Sequence, residues 1–255
     1  MTAIRCLLAC CFLWVALPVW AGMEPEGYSL KEGVFYALPS DFAREGQDPE
    51  IRAIIQFDSP EKVVALRDHC ERGGFVFPHQ SQARYKCKVH LLDYDDMASY
   101  GLIEIVGATI DKYDLFTTRP ARRSQWEVRP LSADELAGIA ALIQASPERY
   151  GNLGKYVVSG KAFAVHKAEG KLTAYFIPGR WVRDEYYEAQ RHHVFVGSEG
   201  SYRYQGQLVD KPERYYDLDG DGLPEVETSE SCDGRCVKLW DISRAPKEIA
   251  RWGGH

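Results

Sequence analysis

From Tyr156 onward the chain repeats one pattern, short apolar runs paired across tight glycine-containing turns. Phe163 to His166 and Leu172 to Ile177 flank Glu169-Gly170, and His193 to Val196 and Tyr202 to Tyr204 flank Glu199-Gly200. Side chains alternate between faces along a strand, and connections this short join antiparallel neighbours. A parallel βαβ array needs a crossover of a dozen or more residues between strands, so the pattern points instead to successive hairpins.

Two helices stand among these strands. Ser59-Pro60-Glu61 offers an N-cap, a proline at the first helical position and an acid in the first turn, and Val63, Leu66 and Cys70 follow as a buried stripe that Gly73-Gly74 ends. Ser132-Ala-Asp-Glu135 is a capping box, with Leu136, Ile139, Ala140 and Ile143 at helical spacing, so a second helix starts at about residue 133. Ile51 to Phe57 and Leu102 to Ile110 read as strands, and Tyr85, Cys87, Val89 and Leu91 alternate with Lys86, Lys88 and His90. Between Thr117 and Pro130, two prolines and Arg119, Arg122, Arg123 and Arg129 mark an exposed connector. The expected fold class is α+β, antiparallel and β-rich with two main helices. It has an N-terminal half over 27–116, a connector over 117–130 and a C-terminal half over 131–255.

The N-terminus carries Arg5, an apolar run from Cys6 through Trp20, and Val19-Trp20-Ala21 before Gly22. That layout is a secretory signal over residues 1–21, and a run of about 15 residues containing Pro18 falls short of the roughly 20 that span a bilayer. Leu7-Leu8-Ala9-Cys10 has the look of a lipoprotein cleavage box, but cutting there would leave too short a hydrophobic core. The expected location is periplasmic or secreted, with no transmembrane anchor. Of the seven cysteines, Cys6, Cys10 and Cys11 would leave with the signal, and Cys70, Cys87, Cys232 and Cys236 would remain. An even number in an oxidising compartment suggests disulfides, and local structure favours Cys70 with Cys87 and Cys232 with Cys236. A zinc site of four thiolates lacks the paired short spacings such sites use.

The chain has 31 basic and 37 acidic side chains, a balance that does not attract nucleic acid. From Tyr215 to Gly234 there are seven acids and no lysine or arginine. Within that segment Asp217, Asp219 and Asp221 stand at positions 1, 3 and 5 of a tight loop, Gly222 at the sharp turn and Glu225 at position 9. Hard oxygen ligands at alternate residues around a glycine are what Ca2+ takes, and the Leu223 carbonyl would supply a further oxygen. Position 12, where an EF-hand carries a bidentate glutamate, is Thr228, and Pro224 removes an N–H. Tyr215-Tyr216 and Val226-Glu227-Thr228 are strand formers, so the loop is expected to cap a β-hairpin near the C-terminus rather than join two helices.

The residues Asp217-Leu-Asp-Gly-Asp-Gly-Leu-Pro-Glu225-Val226 resemble the calcium loops of FG-GAP and VCBS-type exported proteins, in which a DxDxDG hairpin binds the ion. In those families the loop recurs around a β-propeller or along an adhesin, whereas here it stands once, and Asp93-Tyr94-Asp95-Asp96 lacks the glycine turn. The resemblance implies Asp217, Asp219, Asp221 and Glu225 as side-chain ligands to calcium, and implies neither a propeller nor adhesion.

Catalytic signals are sparse. Asp184, Glu188 and His192 would share a face on a helix and, with His193, could hold a metal for hydrolysis; the alternative is an exposed polar turn, and no HExxH signature is present. No G-x-S-x-G elbow or phosphate-binding glycine loop occurs. Tyr186, Tyr187, Tyr202, Tyr204, Tyr215 and Tyr216 could form a platform for a protein or glycan partner, or could fill core and sheet positions. The expectation is a calcium-binding, non-enzymatic binding or structural module of the cell envelope, with a metal-dependent hydrolase as the alternative.

Overall fold

A computed structural model describes residues 33–39, 51–57, 60–79, 81–94, 99–108, 114–120, 124–146, 154–183, 186–187, 190–198, 200–231 and 235–253. The proposed signal segment, Ser59, Asp184, Glu188 and Cys232 lie outside the described residues. The described chain is mostly antiparallel β-sheet with two helices, α1 (Pro60–Glu71) and α2 (Ala133–Ala145). Neither helix is long and apolar enough to cross a membrane.

The first six strands, β1 (Val34–Pro39), β2 (Ile51–Phe57), β3 (Phe75–Pro78), β4 (Tyr85–Tyr94), β5 (Ser99–Ile105) and β6 (Asp114–Thr117), close into a barrel in the order β1-β2-β5-β4-β3-β6. Helix α1 packs on it with the stripe read from its spacing: Val63, Leu66 and Cys70 join Phe35, Val89, Ile103 and Phe116 in one core. Gly73 ends the helix at φ +79°, a left-handed conformation that glycine enters without steric cost, and its N–H donates to the Cys70 carbonyl. Cys87 on β4 reaches the same core and bonds to Cys70, with Cα atoms 5.2 Å apart. Cys236 is also disulfide-bonded, while its expected partner Cys232 falls outside the described residues.

A seven-stranded sheet follows, built from β7 (Trp126–Pro130), β8 (Lys155–Val158), β9 (Phe163–Lys167), β10 (Thr173–Arg183), β11 (Tyr186–Tyr187), β12 (Arg191–Ser198) and β13 (Ser201–Leu208). The hairpins β9–β10 and β12–β13 are the pairs anticipated from the two glycine turns. Residues 126–130, which composition assigns to the connector, instead form β7 and pair with β9. Trp126 packs into the sheet's core, and Arg129 donates through both terminal nitrogens to Glu135, at 2.8 and 2.7 Å. That glutamate closes the capping box of α2, accepting from the Ser132 N–H while its own N–H donates to Ser132 Oγ. The Arg129 guanidinium accordingly holds the Glu135 carboxyl at about 2. Ile139 and Ile143 of α2 are fully buried against Tyr175, Ile177 and Phe195 of this sheet.

The last sheet is a meander of β14 (Pro212–Tyr216), β15 (Glu225–Ser231), β16 (Arg235–Asp241) and β17 (Lys247–Gly253). It is covered on both faces. Tyr216, Val237, Leu239 and Ile249 pack with Val34, Tyr36 and Leu115 of the barrel, whereas Tyr215, Val226 and Trp240 pack with Phe176, Val194 and Leu208 of the seven-stranded sheet. Alternation along each strand directs successive side chains to these two cores, so the four-stranded sheet is a middle layer between two others.

Candidate functional site

The acidic loop joins β14 to β15, with Tyr216 paired to Glu225 and Tyr215 to Val226. It therefore projects from one end of the middle layer. Gly220 and Gly222 adopt φ +82° and +90°, a backbone that residues bearing a Cβ rarely enter, and this lets the chain reverse twice within a few residues. Asp219 Oδ1 accepts from the Asp221 N–H at 2.9 Å and Asp221 Oδ1 from the Leu223 N–H at 2.7 Å. Each aspartate thus folds the next step of the loop around its own carboxylate. Glu225 Oε2 accepts from the Leu218 N–H at 2.6 Å across the loop's mouth, and the buried Leu223 side chain anchors its return.

Asp217, the first of these acids, is only 2% exposed. Its Oδ2 accepts from Ser124 Oγ and from Lys167 Nζ, each at 2.6 Å. Ser124 precedes β7 and Lys167 ends β9, while His79, just past β3 of the barrel, lies close enough to feel the Asp217 charge. The loop base is therefore where barrel, middle layer and seven-stranded sheet converge. Asp217 Oδ1 is buried there without a hydrogen-bond partner. Lys167 also stands 5.1 Å from the Trp126 ring centroid.

The other acids feel one another. Asp221 is exposed at the loop's turn, yet partial desolvation of its carboxyl lifts it to about 6; the Leu223 N–H opposes this, and Asp219, Asp241 and Asp217 add to the rise. Glu225 is raised well above the ordinary range by burial first, then by Asp219 and Asp221, against the Leu218 N–H. Asp241 is the member that the motif does not contain. It ends β16, and the pairing of Val226 with Trp240 brings it beside the loop's closing end. No signal in the loop's own spacing names it, because it arrives through the pairing of β16 with β15.

The four side chains expected to act together, Asp217, Asp219, Asp221 and Glu225, are thus brought to one loop, joined by Asp241. Their present hydrogen bonds run to loop N–H groups, Ser124 and Lys167, and among the described residues no group of three or more His, Cys, Asp or Glu side chains is drawn together as a metal centre. The donor set is nonetheless all oxygen, which suits a hard cation, and it contains one buried oxygen with nothing bonded to it.

The histidine cluster is described only in part, since Asp184 and Glu188 lie outside the described residues. Tyr186 and Tyr187 form β11 against Arg183 and Val182, and Arg191–Ser198 form β12, so the described parts of this segment are strand where the cluster's spacing assumed a helix. Adjacent strand-forming residues at 181–183 and 186–187 favour a hairpin there. His192 and His193 are neighbours on β12 and point to opposite faces. His193 meets the Tyr156 ring edge-on at 4.8 Å, packed with Tyr204 under α2, while His192 faces the middle layer. Burial lowers both to about 4, helped by Lys211 at His192 and by Arg191 at His193. The tyrosines whose side chains are described serve packing: Tyr202 and Tyr204 in the α2 core, Tyr215 and Tyr216 on the two faces of the middle layer.

Comparison of this chain with known protein families, with curated proteins and with solved structures returned no match.

Proposed function

We propose that this chain is an exported calcium-binding protein whose loop over Asp217 to Glu225 is held by the ion, and that it serves the cell envelope as a binding or structural module rather than an enzyme. The observation that carries the reading is the buried, unpartnered Oδ1 of Asp217 at the head of a loop bearing Asp219, Asp221 and Glu225. Carboxylates this close repel unless a proton or a cation intervenes. Because the loop base is shared by three sheets, a cation there would tie the layers together. Export is supported by the three-part N-terminus and by the Cys70–Cys87 bridge, a linkage favoured by oxidising compartments.

A calcium site of extracellular type binds with a dissociation constant of about 0.1 to 1 mM, so about 1 mM calcium adds roughly 0.4 to 1.4 kcal/mol to stability. That magnitude suits a structural clip. Calorimetric melting of the chain in EDTA and in calcium tests it. Calcium should raise the melting temperature by a few degrees for the wild type and leave Asp219→Ala unmoved; a wild type indifferent to calcium removes the assignment. N-terminal sequencing of protein recovered from the periplasm or medium should begin at Gly22, and an intact Met1 there would refute the signal.

A further inference from the structure

The seven-stranded sheet and the middle layer part at one margin of their shared core, leaving a cleft of about 770 Å³. Its origin lies in the path of the chain. Strands β8 and β9 pair with successive stretches of β10, and residues 159–162 cross between them, with the Ser159 N–H donating to the Pro178 carbonyl at 3.0 Å. On the far side the chain leaves β13 and enters the middle layer at Lys211-Pro212. Phe163 and Pro178 therefore wall the cleft on one side and Pro212 and Tyr215 on the other.

The polar side chains lining this space are Arg129, Lys161, Gln190, His192, Lys211 and Glu213. Lys161 and Lys211 are exposed at the cleft and have no ion-pair partner among the described residues. Arg129 also lines it, but its charge is taken up by Glu135. Glu213 contributes one opposing carboxylate, which accepts from Ser229 Oγ at 2.6 Å, so the balance at the cleft stays positive. His192 lies within it, 6% exposed, with its Nδ1 buried and unpartnered. That atom leaves a polar group at the cleft wall open to a bound partner. The combination of apolar walls, partly exposed aromatic rings and a few polar side chains is that of a small-molecule pocket, and the volume suits a ligand of drug-like size.

We propose that this cleft binds a small amphipathic monoanion. Its apolar ring or chain would lie against the exposed parts of Phe163 and Tyr215, which both contact the buried Phe176 ring, and its carboxylate or sulfonate would face Lys161 and Lys211. The site does not rest on the calcium reading. The cleft takes Pro212, Glu213 and Tyr215 of β14 and the acidic loop begins at Asp217, so the two sites share one strand but no side chain.

Isothermal calorimetry of the full chain in EDTA, with 1-naphthoate and its uncharged analogue 1-naphthamide as probes, tests the assignment. Saturable binding of the naphthoate is expected, weaker by about tenfold or more for the amide and by a similar factor in the Lys161→Glu, Lys211→Glu double variant. Because both lysines are exposed, the variant should keep its melting temperature. Asp219→Ala should bind the naphthoate as the wild type does, which separates this site from the calcium loop. Equal binding of acid and amide, undiminished binding in the double variant, or no saturable heat with the naphthoate would each overturn the proposal.

Discussion

Lys167 Nζ meets Asp217 Oδ2 at 2.6 Å, joining the end of β9 to the first residue of the acidic loop. The aspartate side chain is 2% exposed and the lysine 23%, so the acid has surrendered its water while the base keeps some. Removing the base from such a pair leaves an uncompensated buried charge. Lys167→Met should therefore cost about 3 to 5 kcal/mol in EDTA, and calcium should restore part of the loss by supplying the missing positive charge. Urea unfolding in both conditions measures this. Equal losses with and without calcium would separate the lysine from the ion.

Acid should weaken calcium binding. Asp221 is raised to about 6 from an unfolded value of 3.8, so between those values the folded state holds the proton more tightly. In the calcium-free protein this group's contribution to stability falls as pH rises through that window and is lowest above it. The raised Glu225 acts in the same direction. Calcium competes with those protons, so its affinity should drop as pH falls through about 6, with protons released on binding. Calorimetry in two buffers of different ionisation enthalpy detects the release, and an affinity unchanged between about pH 5 and about pH 7.5 would contradict the coupling.

Glu227, fully buried in the middle layer, accepts from Tyr36 Oη of the barrel at 2.8 Å and from Tyr216 Oη at 2.7 Å, with Arg214 Nε 3.5 Å from its other oxygen. Tyr36→Phe deletes one donor to a charged acceptor and should cost about 1.5 to 3 kcal/mol. The Tyr36→Phe, Tyr216→Phe double variant should depart from additivity, because both hydroxyls serve one carboxylate. Chemical denaturation of the single and double variants measures both; strict additivity would mean that the two hydroxyls act independently.

The Cys70–Cys87 bridge spans 17 residues, for which the chain-entropy relation gives about 3 kcal/mol. Cys70→Ala with Cys87→Ala should lower stability by about that amount in non-reducing buffer and should abolish the bridge's response to reductant. Comparison of melting temperatures with and without dithiothreitol provides the reading.

Local chemistry made much of this fold legible in the sequence. The capping box at Ser132 and Glu135, the glycine stop at Gly73, the hairpins around Gly170 and Gly200, and the convergence of Cys70 with Cys87 each follow from residues close together along the chain. Barrel closure does not. Val34-Phe35-Tyr36-Ala37 is buried on both faces, so it shows no alternation by which to recognise a strand, and its pairing with β6 is distant in sequence. Trp126 to Pro130 escaped because prolines and arginines nearby mimic a solvated linker, whereas Arg129 is committed to Glu135. At the loop the motif names four acids, but Asp241 and Lys167 arrive from β16 and β9, and no spacing rule links them to Asp217.

The middle layer has a consequence for truncated chains. Tyr36 and Glu227 are separated by 191 positions, and among the described residues the barrel flank carrying Val34, Tyr36 and Leu115 is covered by strands that lie between residues 212 and 253. A chain that has completed its barrel but lacks that closing stretch presents a bare greasy flank in whichever compartment it folds. Contacts of such long range form slowly. Holdase chaperones should therefore engage chains truncated before residue 212 far more than the finished chain.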